Sequence, residues 1–217
     1  MIRRSSRIWR LASVLAGSAI LQGCTDHRVD LPVTGASRVA VRPGRVGFVV
    51  AAPRGTTDWN TDEMAAEIAR RTGFGLAIAS GSSLEEDERR VLAAAQGPLR
   101  FYAEIQGNDR AQCAGQIEIA TVGVDRELAA RLRALAELIR DAHLRSSHEI
   151  QRLEILVEPV DTLAHRASGA TRVGILRLPE RGLHIELPKC ERRDWREAYT
   201  SILADFLAQA VTLPVGR

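Results

Sequence analysis

"VGFVVAAPRGTTDWN", residues 46–60, runs from an apolar stretch of strand length through a polar turn towards a helix. Residues 46–51 carry no charge, which suggests a strand covered on both faces, since a strand with one wet face would alternate. Beyond the turn, Met64, Ala65, Ile68 and Ala69 recur at helical spacing. Asn60 with Glu63 approaches a capping-box pattern, and Gly73 supplies the stop. A covered strand followed at once by an amphipathic helix is the opening unit of an α/β fold.

The alternation continues downstream. Residues 75–79 read as a strand, and Ser83 with Glu86 brackets the start of a helix reaching about Ala95. Residues 99–105 and 116–122 read as strands enclosing a polar loop, residues 106–115. Asp125 caps a helix whose Leu128, Leu132, Leu135 and Ile139 form one stripe, with Arg126, Arg133, Glu137 and Arg140 facing away. Residues 153–157, 172–176 and 183–187 are further strands, and Trp195, Tyr199, Ile202, Phe206 and Ala210 stripe a closing helix. The expectation is a three-layer α/β sandwich: a mixed, mainly parallel sheet with helices on both faces.

At 217 residues and 45% hydrophobic, the chain suits one ordinary domain. Residues 1–23 read as a separate leader, four arginines before an apolar run too short to span a bilayer. Its end, Leu21-Gln22-Gly23-Cys24, resembles the lipobox of bacterial lipoproteins, with Gln22 departing from the usual small or apolar residue. That resemblance implies lipidation at Cys24 and a membrane-anchored protein facing the periplasm or cell exterior, while the polar, Gly- and Pro-containing residues that follow, without periodicity, read as a tether over residues 24–37 before one domain over residues 38–217. Removing the leader leaves 26 basic against 27 acidic side chains, which gives no support to phosphate-driven nucleic-acid binding. In a compartment that permits disulfides, Cys113 and Cys190 read as a bonded pair, the alternative being two separate thiols.

Three polar clusters fall at predicted strand ends: Arg54 with Asp58, Glu104 through Asn108 with Arg110, and His184 with Glu186. The carboxyl ends of strands border the ligand crevice of an open α/β sheet. His184 and Glu186, two apart on a strand, share a face, and a carboxylate between Ile185 and Leu187 in a covered strand requires a partner. By residue type alone, Arg54 also reads as a solvated loop charge, Asp58 as a turn residue and His184 as a satisfied structural histidine.

The stretches "APRGTTDWNTDEMAAEIARRTGFGLAIASG", "FYAEIQGNDRAQCAGQIEIAT" and "LHIELP" resemble the N-formylglutamate amidohydrolase-like group of the zinc carboxypeptidase-like superfamily, over roughly residues 46–188. The resemblance implies a carboxypeptidase/amidohydrolase-like fold and amide hydrolysis at a single zinc. It places Asp58 at the metal-binding acid and Glu186 at the catalytic carboxylate. Arg54 and Gln106 stand where that group carries its two histidine ligands. A guanidinium has no lone pair to give, and an amide is a poor zinc ligand.

The sequence therefore predicts no zinc cofactor. It predicts instead a fixed positive charge at Arg54, balanced by Asp58 and by Glu186 or Glu104. The corresponding function is binding of an acidic or peptide-like ligand through Arg54, Asp58, Asn108, Arg110 and His184, with little or no hydrolysis. Two alternatives remain: an active amidohydrolase recruiting a metal through Asp58, His184 and Glu186, and a structural lipoprotein acting through protein contacts. An oxygen-rich calcium or manganese site from Asp58, Glu104, His184 and Glu186 is a further variant.

Overall fold

Among the residues described, seven strands join in one sheet. The structure, a computed structural model, describes residues 40–55, 57–79, 83–108, 115–163 and 174–214, all within one unit that begins at Gly35. The strands are β1 (Ala40–Arg42), β2 (Arg45–Ala52), β3 (Phe74–Ile78), β4 (Phe101–Gly107), β5 (Gln116–Val122), β6 (Glu154–Val157) and β7 (Arg181–Leu187), in the order β1-β3-β2-β4-β7-β5-β6. β3, β2, β4 and β7 run parallel, β5 and β6 run the other way, and β1 is an antiparallel edge. β7, late in the chain, inserts between β4 and β5, so the middle of the sheet is assembled from distant segments.

The two faces are covered unequally. On one side α1 (Thr61–Thr72), α3 (Arg126–His143) and α5 (Arg196–Ala210) bury Phe48, Val50, Ala103, Ile105, Ile119, Leu183 and Ile185 in the larger core. On the other, α2 (Leu84–Ala95) and a 3-10 turn at Gly174–Arg177 cover Val49, Ala51, Ala77 and Tyr102. This is the expected α/β sandwich with helices on both faces of a mixed sheet.

Local rules account for most boundaries. The Ser83 hydroxyl accepts from Glu86 N at 3.3 Å and the Asp125 carboxylate from Leu128 N at 2.7 Å, each satisfying a first-turn amide. Gly73 ends α1 in the left-handed conformation at φ 72°, its N–H on the Ala69 carbonyl.

Three details depart from the sequence reading. Asn60 precedes α1 but adopts φ 63° and makes no side-chain cap, because its amide donates instead to the Arg192 carbonyl at 2.6 Å. The strand expected over residues 172–176 is, where described, the 3-10 turn. Gly174 at φ 77° breaks extension, and Ile175 and Leu176 are buried without sheet pairing. The short α4 (Lys189–Arg193) and the edge strand β1 carry too few residues for periodicity to register.

Replacing Asp125 by alanine should lower stability by about 1 kcal/mol in urea denaturation, with α3 otherwise intact.

Candidate functional site

The carboxyl ends of β2, β4 and β7 meet the start of β5 at one rim, and Arg192 of α4 holds that rim together. Its Nε donates to the Leu187 carbonyl at 3.2 Å, Nη1 to the Trp59 carbonyl at 3.2 Å and Nη2 to the Asn108 carbonyl at 3.1 Å. One buried guanidinium thus ties the β2–α1 turn, the end of β4 and the end of β7. It lies flat against Gly107, where an added Cβ would come within 2.2 Å of Cζ. Only glycine leaves room for that approach.

Below the rim, on the α2 side of the sheet, lies a buried polar row. Tyr102 Oη donates to Glu104 Oε2 at 2.9 Å, and Gln106 Nε2 donates to Glu104 Oε1 at 3.2 Å. His184, 3% exposed, bonds Glu104 Oε1 through Nδ1 and Glu186 Oε1 through Nε2, the latter at 3.1 Å. Sheet register explains the row: Glu104 sits opposite His184, and Gln106, Glu186 and Glu118 are neighbours across three strands. Glu118 is fully buried, and neither it nor Glu186 lacks a further partner.

Burial works against a charged imidazole here, but the hydrogen bonds to Glu104 and Glu186 outweigh it, and the His184 pKa is raised to about 9. His184 is therefore an imidazolium at neutral pH, flanked by two carboxylates. Tyr102 is pushed well above its usual value by burial and by the Glu104 charge, so it remains a donor.

The expected buried cation at Arg54 is not found. Its side chain is 57% exposed, with Nε 3.9 Å from Asp58 Oδ1, a loose i,i+4 pair. It follows a turn at the tip of β2, and the buried positive charges near the rim are His184 and Arg192. Asp58 is buried, and its Oδ2 accepts from Gly107 N at 2.9 Å, which links the β2–α1 turn to β4. Glu186 has found the partner its setting demanded, in His184 rather than Arg54.

Asn108 is 4% exposed, and neither Oδ1 nor Nδ2 has a hydrogen-bond partner. Arg110, Cys113 and Cys24 lie outside the described residues. Cys190 is buried and disulfide-bonded. Glu191 beside it is fully buried with both oxygens unpartnered, and burial raises its pKa. Tyr102, Glu118, Glu191 and Arg192 were missed in the sequence. Arg192 is one of a run of charges, and only tertiary packing distinguishes it.

These residues do not fit a zinc ion. Both ring nitrogens of His184 are committed to carboxylates, Asp58 is committed to the Gly107 amide and Arg54, and Gln106 donates to Glu104. Among the described residues no group of three histidine, cysteine, aspartate or glutamate side chains is arranged to hold a metal ion.

No family model and no curated protein matches the sequence. Solved structures do match. A bacteriophage poly-gamma-glutamate hydrolase superposes with a TM-score of 0.50 at 15% identity, covering 83% of this chain and 91% of the other. A metallo-carboxypeptidase from Burkholderia cenocepacia superposes with a TM-score of 0.40 at 11% identity, covering 78% of this chain and 56% of the other. An N-acetylmuramoyl-L-alanine amidase of Nostoc punctiforme gives 0.35 at 13% identity, covering 78% and 97%. The α/β fold expected from the sequence, a mixed sheet with helices on both faces, is shared with the poly-gamma-glutamate hydrolase.

Two outcomes follow from the geometry. A histidine whose folded pKa is raised from 6.5 to about 9 contributes stability that is complete below pH 6.5 and is lost as pH rises through 9. Denaturation between pH 6.5 and 10 should therefore show a loss of roughly 3 kcal/mol, at about 1.36 kcal/mol per pKa unit, that is absent in His184→Gln. Gly107→Ala should cost about 1–3 kcal/mol by driving Cβ into the Arg192 guanidinium, measurable as a lowered urea midpoint.

Proposed function

We propose that the chain is an exported lipoprotein whose amidohydrolase-like domain binds an acidic, peptide-like ligand at the rim without efficient hydrolysis. The supporting observation is that the groups standing in for metal donors are already engaged with one another: Asp58 with Gly107 N, Gln106 with Glu104, and His184 with Glu104 and Glu186. Without a metal-activated water, the rim keeps recognition and loses the nucleophile. Descent from enzymes of the N-formylglutamate amidohydrolase-like group accounts for the quoted motifs and for the substituted histidine positions, Arg54 and Gln106.

Recognition rests on two features of the rim. Asn108 presents a buried amide with donor and acceptor both unpaired, suited to a peptide group. Arg54 presents an exposed guanidinium suited to a carboxylate, and Asp58 connects the two through Gly107. Arg110, in the segment after Asn108, adds a cation by sequence. His184, with both nitrogens used, holds Glu186 in place and does not face the ligand. The similarity to a poly-gamma-glutamate hydrolase makes glutamyl oligomers the first ligands to try.

Protein purified without chelator should carry far less than one zinc per chain. A γ-glutamyl oligomer should raise its melting temperature, a ligand at a hundredfold its Kd adding about 2.7 kcal/mol. Arg54→Ala and Asn108→Ala should each weaken binding severalfold. Near-stoichiometric zinc, with hydrolysis of the oligomer abolished by Asp58→Ala and Glu186→Gln, would establish the active amidohydrolase instead. For export, labelled palmitate should enter the protein and fail to enter Cys24→Ala. For the disulfide, Cys113 and Cys190 should resist alkylation until reduced.

A further inference from the structure

At the opposite pole of the sheet, where the parallel strands begin, Phe48, Arg100, Phe101, Arg181, Val211 and Leu213 line a cleft of about 280 Å3. It shares no residue with the rim. Phe48 and Phe101, buried with ring centroids 6.4 Å apart, form part of its wall, and Val211 and Leu213 add half-buried aliphatic surface.

Arg181 opens β7 opposite Phe101 and is 8% exposed. Its Nη1 donates to the Ala210 carbonyl at 2.9 Å and its Nη2 to the Leu213 carbonyl at 3.1 Å. Those bonds use two of the five N–H groups a guanidinium carries. Burial first, and then the charge of Arg131, depress its pKa, and no acid counters them. A buried cation without a counter-ion is costly to maintain.

Two more arginines gather at the Phe48 ring: Arg45 Cζ is 3.9 Å from the centroid and Arg100 Cζ is 5.8 Å from it. Among the described residues neither has a carboxylate within ion-pair distance, and neither has an interaction beyond those given. Several arginines elsewhere on the surface are paired with carboxylates, as in Arg70–Glu67, Arg133–Asp161, Arg193–Asp194 and Arg196–Glu63. Three arginines without a carboxylate partner among the described residues, Arg45, Arg100 and Arg181, stand together around one cleft with an apolar wall. The acidic residue on that wall, Glu180, favours a ligand of low charge.

We propose that this cleft is a second binding site, for a small monoanion with an apolar body such as an aryl or short-chain carboxylate. The carboxylate lies between Arg100 and Arg181, where a planar guanidinium matches it in two-point fashion, and the apolar part lies against Phe48, Phe101, Val211 and Leu213. A volume of about 280 Å3 suits a molecule of a dozen or so heavy atoms.

The test is calorimetric titration of the full chain with phenylacetate at pH 7, with phenylacetamide and inorganic phosphate as comparison probes. Saturable one-to-one binding of phenylacetate is expected, with phenylacetamide at least about tenfold weaker and phosphate weaker still. Arg100→Gln, at an exposed position, should weaken phenylacetate about tenfold with the circular dichroism spectrum unchanged. Arg181→Lys keeps the charge but loses the fork, and should also weaken binding. No saturable uptake of phenylacetate, equal uptake of phenylacetamide or phosphate, or indifference to both substitutions would each overturn the proposal.

Discussion

The Arg192 guanidinium is the constraint on which the rim depends. Three segments far apart in sequence bring backbone carbonyls to one corner, and one side chain bonds to all three, the Leu187 carbonyl accepting from Asn108 N as well. Buried carbonyls need donors, and a guanidinium offers several in fixed directions. The arrangement dictates Gly107 beneath it and works alongside Asn60, whose amide donates to the Arg192 carbonyl rather than capping α1. Side chain and backbone of one residue therefore fix the same corner of the molecule.

The polar row beneath follows a different logic. Glutamates on adjacent strands of a sheet would repel if left alone, and a single imidazolium between Glu104 and Glu186 compensates them. Tyr102 and Gln106 donate to the remaining lone pairs of Glu104. In a metal enzyme the same carboxylates would answer to an ion. Here they answer to a protonated side chain, which supplies charge and direction but no Lewis acidity.

The fold was legible because its signals are local. The uninterrupted apolar run of β2, the Ser83 and Asp125 caps, Gly73 and the leucine stripe of α3 each act over a few residues, and each is found where the sequence places it. Parity along β7 likewise put His184 and Glu186 on one face. The site was harder. Arg54 and Arg192 are both arginines beside strand ends, and only packing decides that the first faces water while the second is buried. Asn60 carried the right residue type for a cap, yet a carbonyl 132 positions away claimed its side chain. Glu104 finding His184 depends on β7 inserting beside β4, a pairing that no short-range pattern announces.

The unequal covering of the sheet has a further consequence. The larger core, under α1, α3 and α5, holds most of the apolar residues, while the polar row occupies the side that α2 covers only in part. The larger core packs on the face away from that row, so the cost of altering the row falls on its own charges and hydrogen bonds rather than on that apolar packing. Such a division of labour separates the side that holds the sheet together from the side that carries its charges.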